Sequence, residues 1–135
     1  MQKVRIHEAD TLQWTAIGEA ADEPTRAVLT PEEMASEVAM HEPGSDRDLQ
    51  LFEVRYVPGA AVAVHAHIED EIIYIVEGSM KVGNRELLPG SSLFVAGNTL
   101  YQFRAGDGGL RFLNFRPRAD NSYITREEYF QRSTS

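Results

Sequence analysis

Apolar residues recur in short runs through the middle of this chain, and turn-forming residues separate the runs every eight to twelve positions or so. The runs at 38–40, 49–57, 61–66, 72–76, 80–82, 86–88, 92–95, 100–104 and 110–115 read as strands. Pro58-Gly59, Glu77-Gly78, Gly83-Asn84, Pro89-Gly90, Gly97-Asn98 and Gly106-Asp107-Gly108-Gly109 read as their boundaries. Nothing helical lies between consecutive strands, so a parallel sheet is unfavoured and the pattern predicts a sandwich or barrel. Gly106-Asp107-Gly108-Gly109 leads into another strand with no following Lys-Ser or Lys-Thr, and so reads as a turn and not a phosphate cradle.

Two short helices flank the strands. Thr30-Pro31-Glu32-Glu33 places Thr at an N-cap, Pro at the first helical position and Glu at the third, which is a capping box. Thr125-Arg126-Glu127-Glu128 repeats the pattern ahead of Tyr129 and Phe130. With no repeat and no linker, the expectation is one domain over 1–135, with an arm at 1–36, a barrel at about 37–117 and a C-terminal helix at about 125–133.

Composition narrows the function classes. At 135 residues, 42% hydrophobic and 25% charged, the chain has the balance of a globular domain. No stretch approaches the roughly 18 apolar residues of a membrane span, and no secretory signal is readable. Without cysteine, a metal would need His, carboxylate, Tyr or backbone oxygen. A cytoplasmic location is the expectation. A net charge of −8 disfavours nucleic acid and anionic membranes as partners. Arg111, Arg116, Arg118, Arg126 and Arg132 form no basic run and read as solvated strand edges or ion pairs.

The candidate chemistry sits in His65-Ala66-His67-Ile68-Glu69-Asp70-Glu71. Histidines at i and i+2 of a strand share a face. If the following turn folds back, Glu71 lands beside them, giving two nitrogens and one carboxylate around a common point. That set suits Fe(II), and also Mn, Ni, Co or Zn. Ala63 and Ala66 leave room. The bland alternative is hydrogen-bonded core histidines, but two on one strand face are harder to explain that way, and two unpaired imidazoles in an apolar lumen would cost about 1–3 kcal/mol each.

Gly59-x5-His65-x-His67-x3-Glu71-x6-Gly78 resembles the first signature motif of the cupin superfamily at every defined position. From this composition its chance occurrence anywhere in the chain is roughly 6 × 10⁻⁵. The second motif is looser. Gly90-x5-Ala96-x-Asn98-x2-Tyr101-x3-Ala105 keeps the spacing, but Ala96, Asn98 and Ala105 depart from the usual residues, and Tyr101 stands where the family has its third His ligand. The resemblance covers about 49–115. It implies an all-β double-stranded β-helix, the cupin or jelly-roll barrel, with a site in its lumen, and it implies a homodimer.

Tyr101 has several chemical readings: a phenolate ligand, a neutral donor beside the ion, or a general acid or base. The site could also be metal-free and bind an organic molecule. Phe94, Phe103 and Phe112 are expected as apolar walls, with Asn114 touching substrate. Glu69 and Asp70 read as solvated, His7 and His41 as surface or edge, and Trp14 as packing for the arm. Phe52, Val54 and Tyr56 read as a buried face opposite Glu53 and Arg55. The leading expectation is a small metal-dependent enzyme, first a dioxygenase-type oxidoreductase acting on a small organic substrate. A metal-dependent isomerase or lyase, and a non-catalytic small-molecule sensor, are the alternatives.

Overall fold

A computed structural model describes residues 3–134. The arm begins with a 3-10 turn, Ala9–Thr11, followed by strand β1 (Trp14–Ala16) and helices α1 (Ile17–Ala20), α2 (Glu23–Arg26) and α3 (Pro31–Ala35). The α3 cap is built as its sequence directs. Thr30 Oγ1 accepts from the Glu33 backbone N–H at 3.1 Å, while Glu33 Oε1 accepts from the Thr30 N–H at 3.1 Å. The elements β1, α1 and α2 were not expected. At three or four residues each they are too short to carry a periodic signal, and α2 is held by Asp22 capping the Thr25 N–H. Trp14 packs under the Arg55 guanidinium, 3.6 Å from the ring centre.

The barrel strands are β2 (Glu37–Glu42), β3 (Gln50–Tyr56), β4 (Ala61–Ala66), β5 (Glu71–Val82), β6 (Arg85–Leu87), β7 (Ser92–Val95), β8 (Tyr101–Arg116) and β9 (Ile124–Thr125), and α4 (Arg126–Thr134) closes the chain. Every pairing among the described residues is antiparallel. The sheet runs β1-β2-β3-β8-β4-β9, and β5 joins β8 to β6 and β7. Strand β8 is the spine: its first residues pair with β4, its last with β3, and its other edge with β5.

Two expected boundaries are corrected. The runs at 72–76 and 80–82 form one strand, as do 100–104 and 110–115. Glu77-Gly78 and Gly106–Gly109 are facing irregularities where β5 and β8 bend together. Gly78 has φ +74° and its backbone lies directly against Gly109. Strong breakers here mark a bend in a continuous ladder, not its end.

Burial alternates with period two. Glu71, Ile73 and Ile75 are buried on β5, while Ile72 and Tyr74 are exposed. Val54, Val62, Ile73, Ile75, Met80, Phe103, Leu110 and Phe112 form the core, each large side chain contributing about 1.5–3 kcal/mol by leaving water. Among the described residues no helix is long and apolar enough to cross a membrane.

Candidate ligand pocket

A pocket of about 260 Å³ lies between the barrel's inner faces and the arm. Ile17, Ala21 and Leu29 of the arm close one side. Phe52, Val54 and Tyr56 of β3, Phe103 and Phe112 of β8, and Tyr123 form aromatic and aliphatic walls. Its polar end is made by His65, His67, Tyr101, Asn114 and Arg116.

His65 sits on β4 opposite Tyr101 of β8 and Thr125 of β9, and His67 follows just beyond the strand end. His65 Nδ1 bonds the Ala63 carbonyl at 2.7 Å, and His67 Nδ1 bonds the Ser122 carbonyl at 2.6 Å. Carbonyls only accept, so each Nδ1 carries the proton and each Nε2 presents a lone pair. Neither Nε2 has a hydrogen-bond partner among the described residues. The rings stand 4.7 Å apart at 79°, and His65 stacks on Tyr123 at 4.7 Å. Burial, and then the neighbouring His67, push His65 down to about 4. Burial, and then Arg116, also lower His67. Both rings are neutral acceptors at neutral pH.

Glu71 opens β5 and is buried, yet its partners differ from those expected. Tyr101 Oη donates to Glu71 Oε1. Asn114 Nδ2 donates to Oε2 at 3.1 Å, and Arg116 Nε and a terminal guanidinium nitrogen donate to it at 3.1 and 3.0 Å. Burial pushes the carboxyl up, but Arg116, His67, Tyr101 and Asn114 outweigh it and hold Glu71 below the usual range. Tyr101 moves the opposite way: burial and the adjacent Glu71 charge raise it well above a normal phenol, so here it is a neutral donor and not a phenolate.

The expected three-ligand centre is therefore not assembled. Among the described residues no three His, Asp or Glu side chains are placed to hold one ion. The physical reason is Arg116, which supplies Glu71's positive charge from within the chain, 3.0 Å away. As placed, His65, His67 and Glu71 do not form a facial set, and Tyr101 is a neutral donor to Glu71.

Phe94 is a second correction. It pairs with Ile72 on β7 and is 63% exposed on the outside of the barrel, since Glu71 and Val95 take the inward parity. Arg116 forms an ion pair, one of the two expectations for it, but a buried pair with Glu71 and not one at a solvated strand edge. Its signal was present in the sequence, because Phe112, Asn114 and Arg116 share one parity of a strand. Phe103, Phe112 and Asn114 do line the pocket. Glu69 pairs with Arg118, Asp70 accepts from the Gly97 N–H, His7 bonds Glu42 and His41 bonds Glu53, all away from the pocket lining.

Glu33 and Tyr123 also line the pocket, and neither was singled out as a site residue. Burial raises the Glu33 carboxyl against the opposing hydrogen bonds from Thr30 and Ala63. A raised folded value means the favourable contribution is complete below the unfolded carboxyl range of about 4.3 and is lost as pH rises through the folded value. Glu33→Gln is expected to gain stability over the native chain across that interval, with the gap closing at lower pH. Paired urea melts over a pH series read the difference, and a gap that widens on acidification contradicts it.

Comparison with protein-family models gives no match, and comparison with curated proteins gives none. Solved structures do match. An RmlC-like cupin from Shewanella frigidimarina is 20% identical over 86% of this chain and 93% of its own, with a TM-score of 0.60. KdgF from Halomonas sp. is 23% identical over 82% of this chain and 93% of its own, at 0.57. Oxalate decarboxylase of Bacillus subtilis, a protein with Mn(II) centres, is 19% identical over 67% of this chain but only 28% of its own, at 0.57. The fold is thus the cupin jelly roll, as the sequence motif implied.

Proposed function

We propose that the chain is a small-molecule cupin that receives an organic ligand in the arm-covered pocket without needing a metal to hold it, and that its chemistry is proton transfer of the isomerase or lyase kind. One observation supports this above the others. The polar end of an apolar-walled pocket carries two neutral imidazoles, and neither Nε2 atom has a partner among the described residues. Each such group costs about 1–3 kcal/mol when nothing meets it, and a bound polar molecule would meet them. Two neutral imidazoles and the Tyr101–Glu71 couple are groups that accept or hand on a proton.

The test is hydrogen–deuterium exchange at carbon in a panel of small carbonyl compounds, followed by NMR in D₂O with excess EDTA. Exchange is expected with the native chain and is expected to vanish in Tyr101→Phe and His67→Ala.

The paired, backbone-anchored imidazoles favour a second reading, a divalent metal held by His65 and His67 with the bound molecule completing its shell. The likeness to a Mn(II) decarboxylase supports it. That reading is preferred if EDTA abolishes exchange and Mn(II) or Fe(II) restores it.

A further inference from the structure

We infer that the ligand carries a protonated amine and that Glu33 is the side chain that selects it. This rests on the pocket being a small-molecule site. The argument is a charge count. The charged side chains lining the pocket are Glu33 and Arg116. Arg116 is already matched by Glu71 at 3.0 Å. Glu33, 3% exposed, has no cationic side chain in ion-pair range among the described residues. Two carboxylates against one guanidinium leave the pocket one negative charge in excess, and the two neutral imidazoles do nothing to offset it.

The cap explains only half of Glu33. Its Oε1 takes the Thr30 and Ala63 backbone N–H groups at 3.1 and 3.3 Å, while Oε2 has no hydrogen-bond partner among the described residues. A glutamine at the third helical position completes a capping box equally well, so capping does not account for a buried charge. Its influence reaches the pocket's aromatic walls, where burial first and then the Glu33 charge raise the phenols of Tyr56 and Tyr123. An ammonium group would neutralise Glu33, and the faces of Tyr56, Tyr123, Phe103 and Phe112 would favour it further. A carboxylate would meet an uncompensated charge and two lone pairs. The overall charge of −8 also attracts cations to the surface.

The experiment uses three probes with one ring: benzylamine, benzyl alcohol and benzoate, titrated calorimetrically into the full chain and into Glu33→Gln. The native chain is expected to bind benzylamine about tenfold more tightly than benzyl alcohol, a factor of the size of one charged hydrogen bond, with benzoate weakest. In Glu33→Gln the preference for the amine over the alcohol should be lost. Benzyl alcohol or benzoate binding as tightly as benzylamine overturns the inference on the native chain alone, whether or not the variant folds, and leaves the pocket reading standing. An amine preference that survives in Glu33→Gln overturns the role of Glu33. If none of the three binds, the small-molecule reading falls and takes the inference with it.

Discussion

Gly78→Ala is expected to destabilise the barrel by about 3–5 kcal/mol, a large share of the roughly 5–15 kcal/mol that holds a domain folded. Two costs add. An L-residue at φ +74° carries strain of about 1–2 kcal/mol. The added methyl would also stand 2.0 Å from the Gly109 carbonyl oxygen and 2.7 Å from its carbon. Those are backbone atoms of the β8 spine, so no rotamer change relieves the overlap and the β5–β8 ladder itself must part. Gly83→Ala separates the two contributions. It has φ +57° and nothing within 4 Å of the added carbon, so it is expected to show the strain alone. Urea melts of both variants read the difference, and equal losses would show that the close approach contributes nothing.

That glycine also shows how the fold could be read from the chain and where the reading stopped. Gly78 ends the Gly59-to-Gly78 motif, and the motif carried the cupin expectation. The backbone need behind it, a bend opposite Gly109, pairs residues 31 positions apart in sequence. Local rules read both glycine clusters as strand ends, because a turn and a paired bulge use the same residues. The β-alternation and the α3 cap were legible since each is settled by neighbours within a few residues. The short elements of the arm were not, since their positions depend on what they cover.

The site divides in the same way. His65 and His67 were found from strand parity, whereas Phe94 lies on another strand and only the β5–β7 register, with Glu71 opposite Val95, places it outside. Arg116 was the decisive omission. Scattered arginines are mostly solvated, and composition alone gives that answer. Only the register, with Asn114 opposite Ile73 and Phe115 opposite Ile72, brings the end of β8 beside the start of β5 and sets Arg116 against Glu71. A three-ligand metal centre and an internally neutralised carboxylate share every motif residue and differ by this one side chain.

Arg116→Met is accordingly expected to cost about 3–5 kcal/mol, the usual loss when one member of a buried ion pair is removed and the other left behind. The guanidinium also holds the Asp120 carbonyl at 2.6 Å and lies 5.1 Å from the Phe52 ring centre. Asp120 in turn receives the Glu69 and Ser122 N–H groups, and the Ser122 carbonyl anchors His67. Loss of the guanidinium therefore loosens one imidazole as well as stranding Glu71. The sign of the pH dependence distinguishes this account from simple loss of packing. In the native chain Glu71 is held below the usual range. Its contribution is present above the unfolded carboxyl value and is lost as pH falls through the folded one. Without Arg116, burial dominates and the folded value rises above the unfolded one, so the variant's Glu71 contribution is recovered on acidification and lost as pH rises. Adding Glu71→Gln to Arg116→Met removes the stranded charge and should restore most of the stability at neutral pH. Denaturant melts of the native chain, both single variants and the double variant, at neutral and acidic pH, measure the coupling. Strictly additive losses with no reversal of the pH slope would mean that Arg116 does not neutralise Glu71, and the three-ligand metal centre would again be the better description of the pocket.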